Sequence, residues 1–363
     1  SCAPVLASLF VYLLLTNASF ATVRFWTGGG ANNNWATAAN WSTGVAPVAN
    51  DDLIFQGGAS VDATSLNNTN NYAAGTVFNS ITITGTNYVL RGNQVVFTNS
   101  GVAISAQHVT GNNYIELPIQ LGTTTQTFEC TGSAASLNLG NSSSPTLNLN
   151  GQNLTLNATG MITIYHAISG TGNLTKNGAG RLLLAGYVAN TYVGSFNVNS
   201  GTLELTDSNP GASLNMVTGD LNINNASVVQ VVAANQIADT ATVTMNGAGQ
   251  FQLLVGVSET ISNLTMANAT VSSGSGTLSL NGNIRVTSSS GTATINGNLH
   301  FLGGLHTITV PNNSLTYDLI INANISDAGG GLLFTNVAPV ANFIRLVGTN
   351  NTFTGPLIIQ NVT

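Results

Sequence analysis

The sequence predicts an all-β protein wound as a solenoid, and three observations carry that prediction. Apolar residues alternate with polar ones at period two, as in Ile81 and Ile83, Leu147 and Leu149, Leu154 and Leu156, and Ile162 and Ile164. The beat continues through Leu203 and Leu205, Leu221 and Ile223, Val243 and Met245, Leu278 and Leu280, Ile284 and Val286, and Leu299 and Phe301. Such alternation marks strands with one buried face. The runs are short and are cut by Asn-Gly pairs at 150–151, 177–178, 246–247, 281–282 and 296–297, residues that tolerate positive φ. Finally, only 5% of the 363 residues are charged, too few for the many exposed faces of a globular sandwich, whereas Asn and Thr suit ladders of like residues stacked rung on rung. A sandwich or a propeller would share the first two features. Uniform texture from about residue 75 onward, with no linker, favours the solenoid, whose rungs bury a continuous core by resting on one another. With ~22 residues per rung and ~4.8 Å of rise, the chain would form a rod roughly 70 Å long.

The N-terminus reads differently from the rest. Val5 to Leu15 is an apolar run too short for a bilayer, which needs about 20 residues. Ser19 and Ala21 set small residues at the −3 and −1 positions of a cleavage site. Residues 1–21 are therefore expected to be a truncated signal peptide, with a buried helix as the bland alternative. Cleavage would remove Cys2 and leave Cys130 as the one cysteine, a small buried hydrophobe and not half of a disulfide or a zinc site.

Residues 22–74 read as an N-terminal cap or entry segment and 75–363 as the solenoid proper. All three tryptophans, Trp26, Trp35 and Trp41, fall in the entry segment. Buried, they would plug an end that otherwise exposes apolar surface and unpaired strand edges. Exposed, they would be glycan-stacking residues. The adjacent Asp51 and Asp52 read as a solvated turn ahead of the strand Leu53 to Phe55. Acid–base work would require a positioned partner, and no motif supplies one. His108, His166, His300 and His306 stand alone, and no P-loop, EF-hand, nucleophile elbow or HExxH spacing occurs. The sequence thus points to no catalytic, metal or cofactor residue. Six Lys plus Arg against twelve Asp plus Glu, with no basic run, disfavour nucleic acid as a partner.

Residues 172–205 carry the most specific pattern: GNLTKNGAGRLLLAG, then YVA, then NTYVGSFNVNSGTLEL. This segment resembles the autotransporter-associated β-strand repeat of bacterial exported proteins, a unit of parallel β-helix passenger regions. The matching positions are Leu174, Thr175, Lys176, Gly178 and Gly180, then Leu182, Leu184 and Gly186. They continue through Asn190, Thr191, Tyr192 and Gly194 to Asn199, Gly201, Thr202 and Leu203. The glycines are expected to supply tight turns, with Leu182, Leu184, Leu203 and Leu205 pointing inward. The Asn-Thr-Tyr corner is expected to bond its own backbone while the ring covers a rung edge. A degraded second copy lies at 345–363, where Asn351, Thr352, Phe353 and Gly355 align with Asn190, Thr191, Tyr192 and Gly194. Tyr187 and Val188 look like an insertion in the first copy, and the second lacks the LTKxGxG opening.

The resemblance implies a right-handed parallel β-helix. It also implies an exported protein at the cell surface, outer membrane or extracellular space of a Gram-negative-type bacterium, without membrane spans in the mature chain. The function it implies is a non-catalytic structural or adhesin-like passenger of a larger protein, with surface glycans or a host or neighbouring cell surface as partner. A polysaccharide lyase or hydrolase, or a glycan-binding module, on the same scaffold is the alternative.

Overall fold

The computed structural model describes residues 21–59, 61–98, 100–209, 211–288, 291–311, 315–336 and 343–360. Except for Ala21, the expected leader lies outside the described residues. The chain forms a parallel β-solenoid of about 12 turns with almost no helix.

Among the described residues the strands collect into parallel sheets of fifteen, thirteen, five and four strands. One rung shows the plan. Leu154–Ala158 lies in the fifteen-stranded sheet, Met161–Ile164 in the thirteen-stranded sheet, and Ala167–Ser169 in the five-stranded sheet. The next rung lays Leu174 on Leu154 and Leu182 on Ile162. The third face is paired as strands over Thr76–Ser169 and again over Glu259–Asp327. Between those stretches it is held by isolated bridges, Thr171 with Val193 and Val217 with Ile237.

The period-two residues singled out in the sequence all face inward and are buried. One core cluster runs from Trp26 to Phe334, so each rung's apolar side chains are covered by those of the rungs beside it, the nearest-neighbour stabilisation of a repeat array. The entry segment is already part of this stack. Val23–Trp26 pairs with Asp52–Phe55, which pairs with Ser80–Ile83, and the sheet crosses residue 75 unbroken.

Rung length is less uniform than the sequence suggests. Equivalent inward positions in the fifteen-stranded sheet lie 20 residues apart at Leu154 and Leu174 but 28 apart at Phe128 and Leu156. The extra residues are held in the turns, and the ladder between Gln126–Cys130 and Leu154–Ala158 keeps its register, while a bulge at Thr127/Phe128 shifts it against Val102–Ala106. Because every strand pair is parallel, the Asn-Gly pairs bend the chain between faces instead of reversing it. Only Asn150-Gly151 places both residues at positive φ, 51° and 80°. Asn177 and Asn246 end strands and leave the positive φ to Gly178 and Gly247.

Candidate functional site

The motif segment occupies the middle of the stack. Leu174 and Lys176 both point inward from Leu174–Asn177, between the strands Leu154–Ala158 and Phe196–Val198. An inward lysine in an apolar core needs partners, and three carbonyls supply them: Lys176 Nζ donates to Asn177 O at 3.0 Å, Gly178 O at 2.7 Å and Ser200 O at 3.0 Å. The side chain is fully buried, and desolvation pulls its pKa down to about 8. The ammonium thereby ties the turn after its own strand to the same turn one rung on.

The motif glycines sit where neighbouring rungs touch. A Cβ on Gly178 would lie 2.3 Å from Ala158 O, one on Gly180 2.1 Å from Gly160 O, and one on Gly194 2.1 Å from Gly172 O. Only glycine permits backbones to approach this closely. Leu182, Leu184, Leu203 and Leu205 are buried as expected, and on the outside Arg181 pairs with Glu204 across the rung.

The Asn-Thr-Tyr corner differs from expectation. Asn190 does not bond its own backbone; it bridges three rungs. Its Oδ1 accepts from Ile168 N at 2.9 Å and its Nδ2 donates to Met216 O at 2.8 Å. The Tyr192 ring is buried inside the rung, not laid over an edge. In the second copy Asn351 Oδ1 likewise accepts from the preceding rung, at Ile325 N, 2.8 Å away, and Phe353 packs against the core. A Cβ on Gly355 would meet Gly331 N at 2.2 Å.

The tryptophans are buried, Trp26 and Trp35 fully and Trp41 with 2% exposure. Trp26 meets Trp41 edge to face at 5.2 Å, and both, with Trp35, pack on Phe55. Their indole N–H groups donate to Ser65 Oγ, Asn68 Oδ1 and Trp35 O. A sugar ring stacks on an open aromatic face, and this packing leaves none.

Asp51 is also not the solvated turn residue expected. It is buried, pairs with Arg24 Nε at 2.8 Å and accepts from the backbone N–H groups of Thr22 and Val48. Asp52 accepts from Asn79 Nδ2 and Ser80 Oγ. Both carboxylates are thus engaged in joining the first rungs.

The histidines are dispersed. His166 is buried, with Nε2 at 3.0 Å from Leu117 O, and desolvation lowers its pKa. His306 places both ring nitrogens against carbonyls, Gly282 O and Gly303 O. Cys130 is a buried free thiol whose pKa burial raises to about 11. Among the described residues no three His, Cys, Asp or Glu side chains converge as a metal site would require, and no helix is long and apolar enough to cross a membrane.

Two features stand out, the first of them missed in the sequence. Glu259 is a buried carboxylate that accepts from Gln236 N at 2.8 Å and from Ile237 N and Thr260 N; burial nonetheless raises its pKa to about 7. Its sequence neighbours Ser258 and Thr260 gave no local signal of partners more than twenty residues away. The other is a run of asparagine amides bonded rung to rung along the fifteen-stranded sheet.

Fold and motif together make the chain similar to the passenger-like β-helix repeats of autotransporters. The passenger-associated-transport-repeat family matches residues 174–205, the stretch that holds Lys176, Asn190 and the close-approach glycines. No curated protein and no solved structure matches the chain.

Proposed function

We propose that this chain is a non-catalytic, exported β-helix that serves at the cell surface as a structural or adhesin-like passenger of a larger autotransporter-like protein. The observation that carries the reading is the passenger-associated-transport-repeat at 174–205, seated in register within an unbroken stack of rungs. Physical features support it. A ladder-bonded core running the length of the described chain suits a stalk that must keep its shape with no disulfide among the described residues. Four of the six strand-borne cations are also tied down: Lys176 is buried, while Arg24, Arg91 and Arg181 are ion-paired within or beside ladders; Arg285 and Arg345 stand exposed, the latter over the Tyr317 ring.

Surface labelling tests the reading. Antibodies against the folded chain are applied to intact cells of the source bacterium, with and without external protease. Labelling of intact cells that protease removes, or recovery of the chain from the medium, is the expected result. Labelling that requires cell lysis would overturn it. Turnover of a polysaccharide by the purified chain would replace the non-catalytic role with the carbohydrate-active alternative.

A further inference from the structure

The outward face of the fifteen-stranded sheet is regular over six consecutive rungs, from Leu154–Ala158 to Leu264–Ala267. Its middle column reads Thr155, Thr175, Asn197, Asn222, Thr244 and Thr265, each stacked on the next. Beside it runs an amide ladder: Asn199 Nδ2 donates to Asn177 Oδ1 at 3.0 Å, Asn224 to Asn199 at 2.8 Å, and Asn246 to Asn224 at 2.9 Å. On the other side Asn153, Asn173 and Asn263 each accept a backbone N–H from the next rung, as Asp220 does at its level.

These bonds fix the array. The inner ladder amides, Asn199 and Asn224, each have one N–H and one oxygen lone pair committed along the stack, which leaves one of each for an outside partner. Among the described residues, the hydroxyls of Thr155, Thr175, Thr244 and Thr265 have no protein partner. The side chains stand half-buried shoulder to shoulder, so little rotamer entropy is left to lose on binding. The pattern repeats in two directions, at ~4.8 Å between rungs and ~6.6 Å between alternate residues of a strand.

Charge is nearly excluded from the face. Asp220, in a flanking column, is its one ionised residue, and Glu129 and Arg285 stand only at the levels just before and after the six rungs. The thirteen-stranded sheet, by contrast, bears the Arg91–Glu116 and Arg181–Glu204 pairs. An uncharged array calls for an uncharged partner with donors and acceptors at a matching repeat. A second copy of the chain fits poorly: the face covers on the order of 400 Å², about half of what a standard interface takes from each partner. Crystalline polysaccharide fits poorly as well, because flat sugar surfaces are gripped by aromatic rings and none stands here.

We propose that this face binds crystalline water. An ice plane offers a donor and an acceptor at every site, and its oxygen repeat lies close to the rung spacing. Many weak contacts formed together by a rigid template hold where each alone would not. The proposal does not depend on surface display.

The test is partition of the purified full chain into a slowly growing ice front. The variants are Thr175→Lys in the middle column and Gln252→Lys on the thirteen-stranded sheet, with circular dichroism melts to establish that both fold. The wild type and Gln252→Lys are expected to enter the ice, and Thr175→Lys to lose enrichment about tenfold. Exclusion of the wild type from ice, or equal partition of all three, overturns the proposal. So does capture by microcrystalline cellulose without ice enrichment, or a concentration-dependent dimer that Thr175→Lys dissolves without ice enrichment. If Thr175→Lys fails to fold, Asn222→Lys takes its place with the same outcomes.

Discussion

Replacing Lys176 by methionine should change how stability depends on pH more than it changes stability itself. The ammonium is fully buried and its pKa falls from 10.5 to about 8 on folding. Between those values the unfolded chain binds the proton and the folded chain does not, so stability rises with pH through this window and is lost as pH falls toward 8. At about 1.4 kcal/mol per pKa unit, the shift corresponds to about 3 kcal/mol in full, and to about 2.5 kcal/mol between pH 7 and pH 10. The Met variant keeps the volume and removes the desolvation cost, but orphans Asn177 O, Gly178 O and Ser200 O. At roughly 1 kcal/mol per lost bond, the two changes nearly offset at pH 7. The assay is denaturant unfolding by circular dichroism at pH 7, 8, 9 and 10 for both proteins. Burial also lifts Tyr192 and Cys130 above this range in the folded chain while their unfolded forms titrate within it, and comparing the two proteins cancels their contributions. The wild type should gain about 2 to 2.5 kcal/mol on the variant over the series. Parallel pH profiles would refute the reasoning, because an ammonium held at its ordinary pKa would give no differential slope.

The remaining predictions use other parts of the stack. Glu259→Gln should flatten the fall in wild-type stability between pH 4.5 and 7: a carboxyl raised to about 7 on folding stabilises below its unfolded value and loses that contribution as pH rises; unchanged profiles would count against the buried carboxyl. Gly194→Ala, with its Cβ 2.1 Å from Gly172 O, should lower stability by ~2 kcal/mol or more, and Gly151→Ala, whose Cβ meets open space at φ 80°, by only ~1 kcal/mol; equal melting temperatures would contradict the close approach. Native Cys130 should resist a thiol reagent at pH 8 and react fully in denaturant. Tryptophan emission should be blue-shifted and poorly quenched by iodide, and Trp35→Ala should cost ~3–5 kcal/mol; a red-shifted, quenchable emission would refute the buried cluster.

The fold was legible because its signal is local. Leu154 and Leu156 alternate with Thr155 and Asn157 in sequence, and the same alternation sorts them into core and surface. The repeat was legible for a related reason, since Gly178, Gly180 and Gly194 are demanded by backbone contacts that recur each rung. What escaped depends on which rung lies above which. Asp51 looked solvated because its partner Arg24 is distant in sequence. Asn190 looked like a self-capping turn because Ile168 and Met216, its true partners, are one rung back and one rung on. The asparagine ladder was foreshadowed by composition, but its members are named only by the register, which varies with turn length.

The same register makes length a discrete variable for this molecule. Excising residues 154–173 would remove one complete circuit of the winding and bring Leu174 onto Gln126, where Leu154 now lies. In the fifteen- and thirteen-stranded sheets each strand at the seam would find a parallel neighbour of its own kind. Genes of this sort can therefore lengthen or shorten their products by whole circuits through unequal crossover. The reach of the protein could evolve without its core being redesigned.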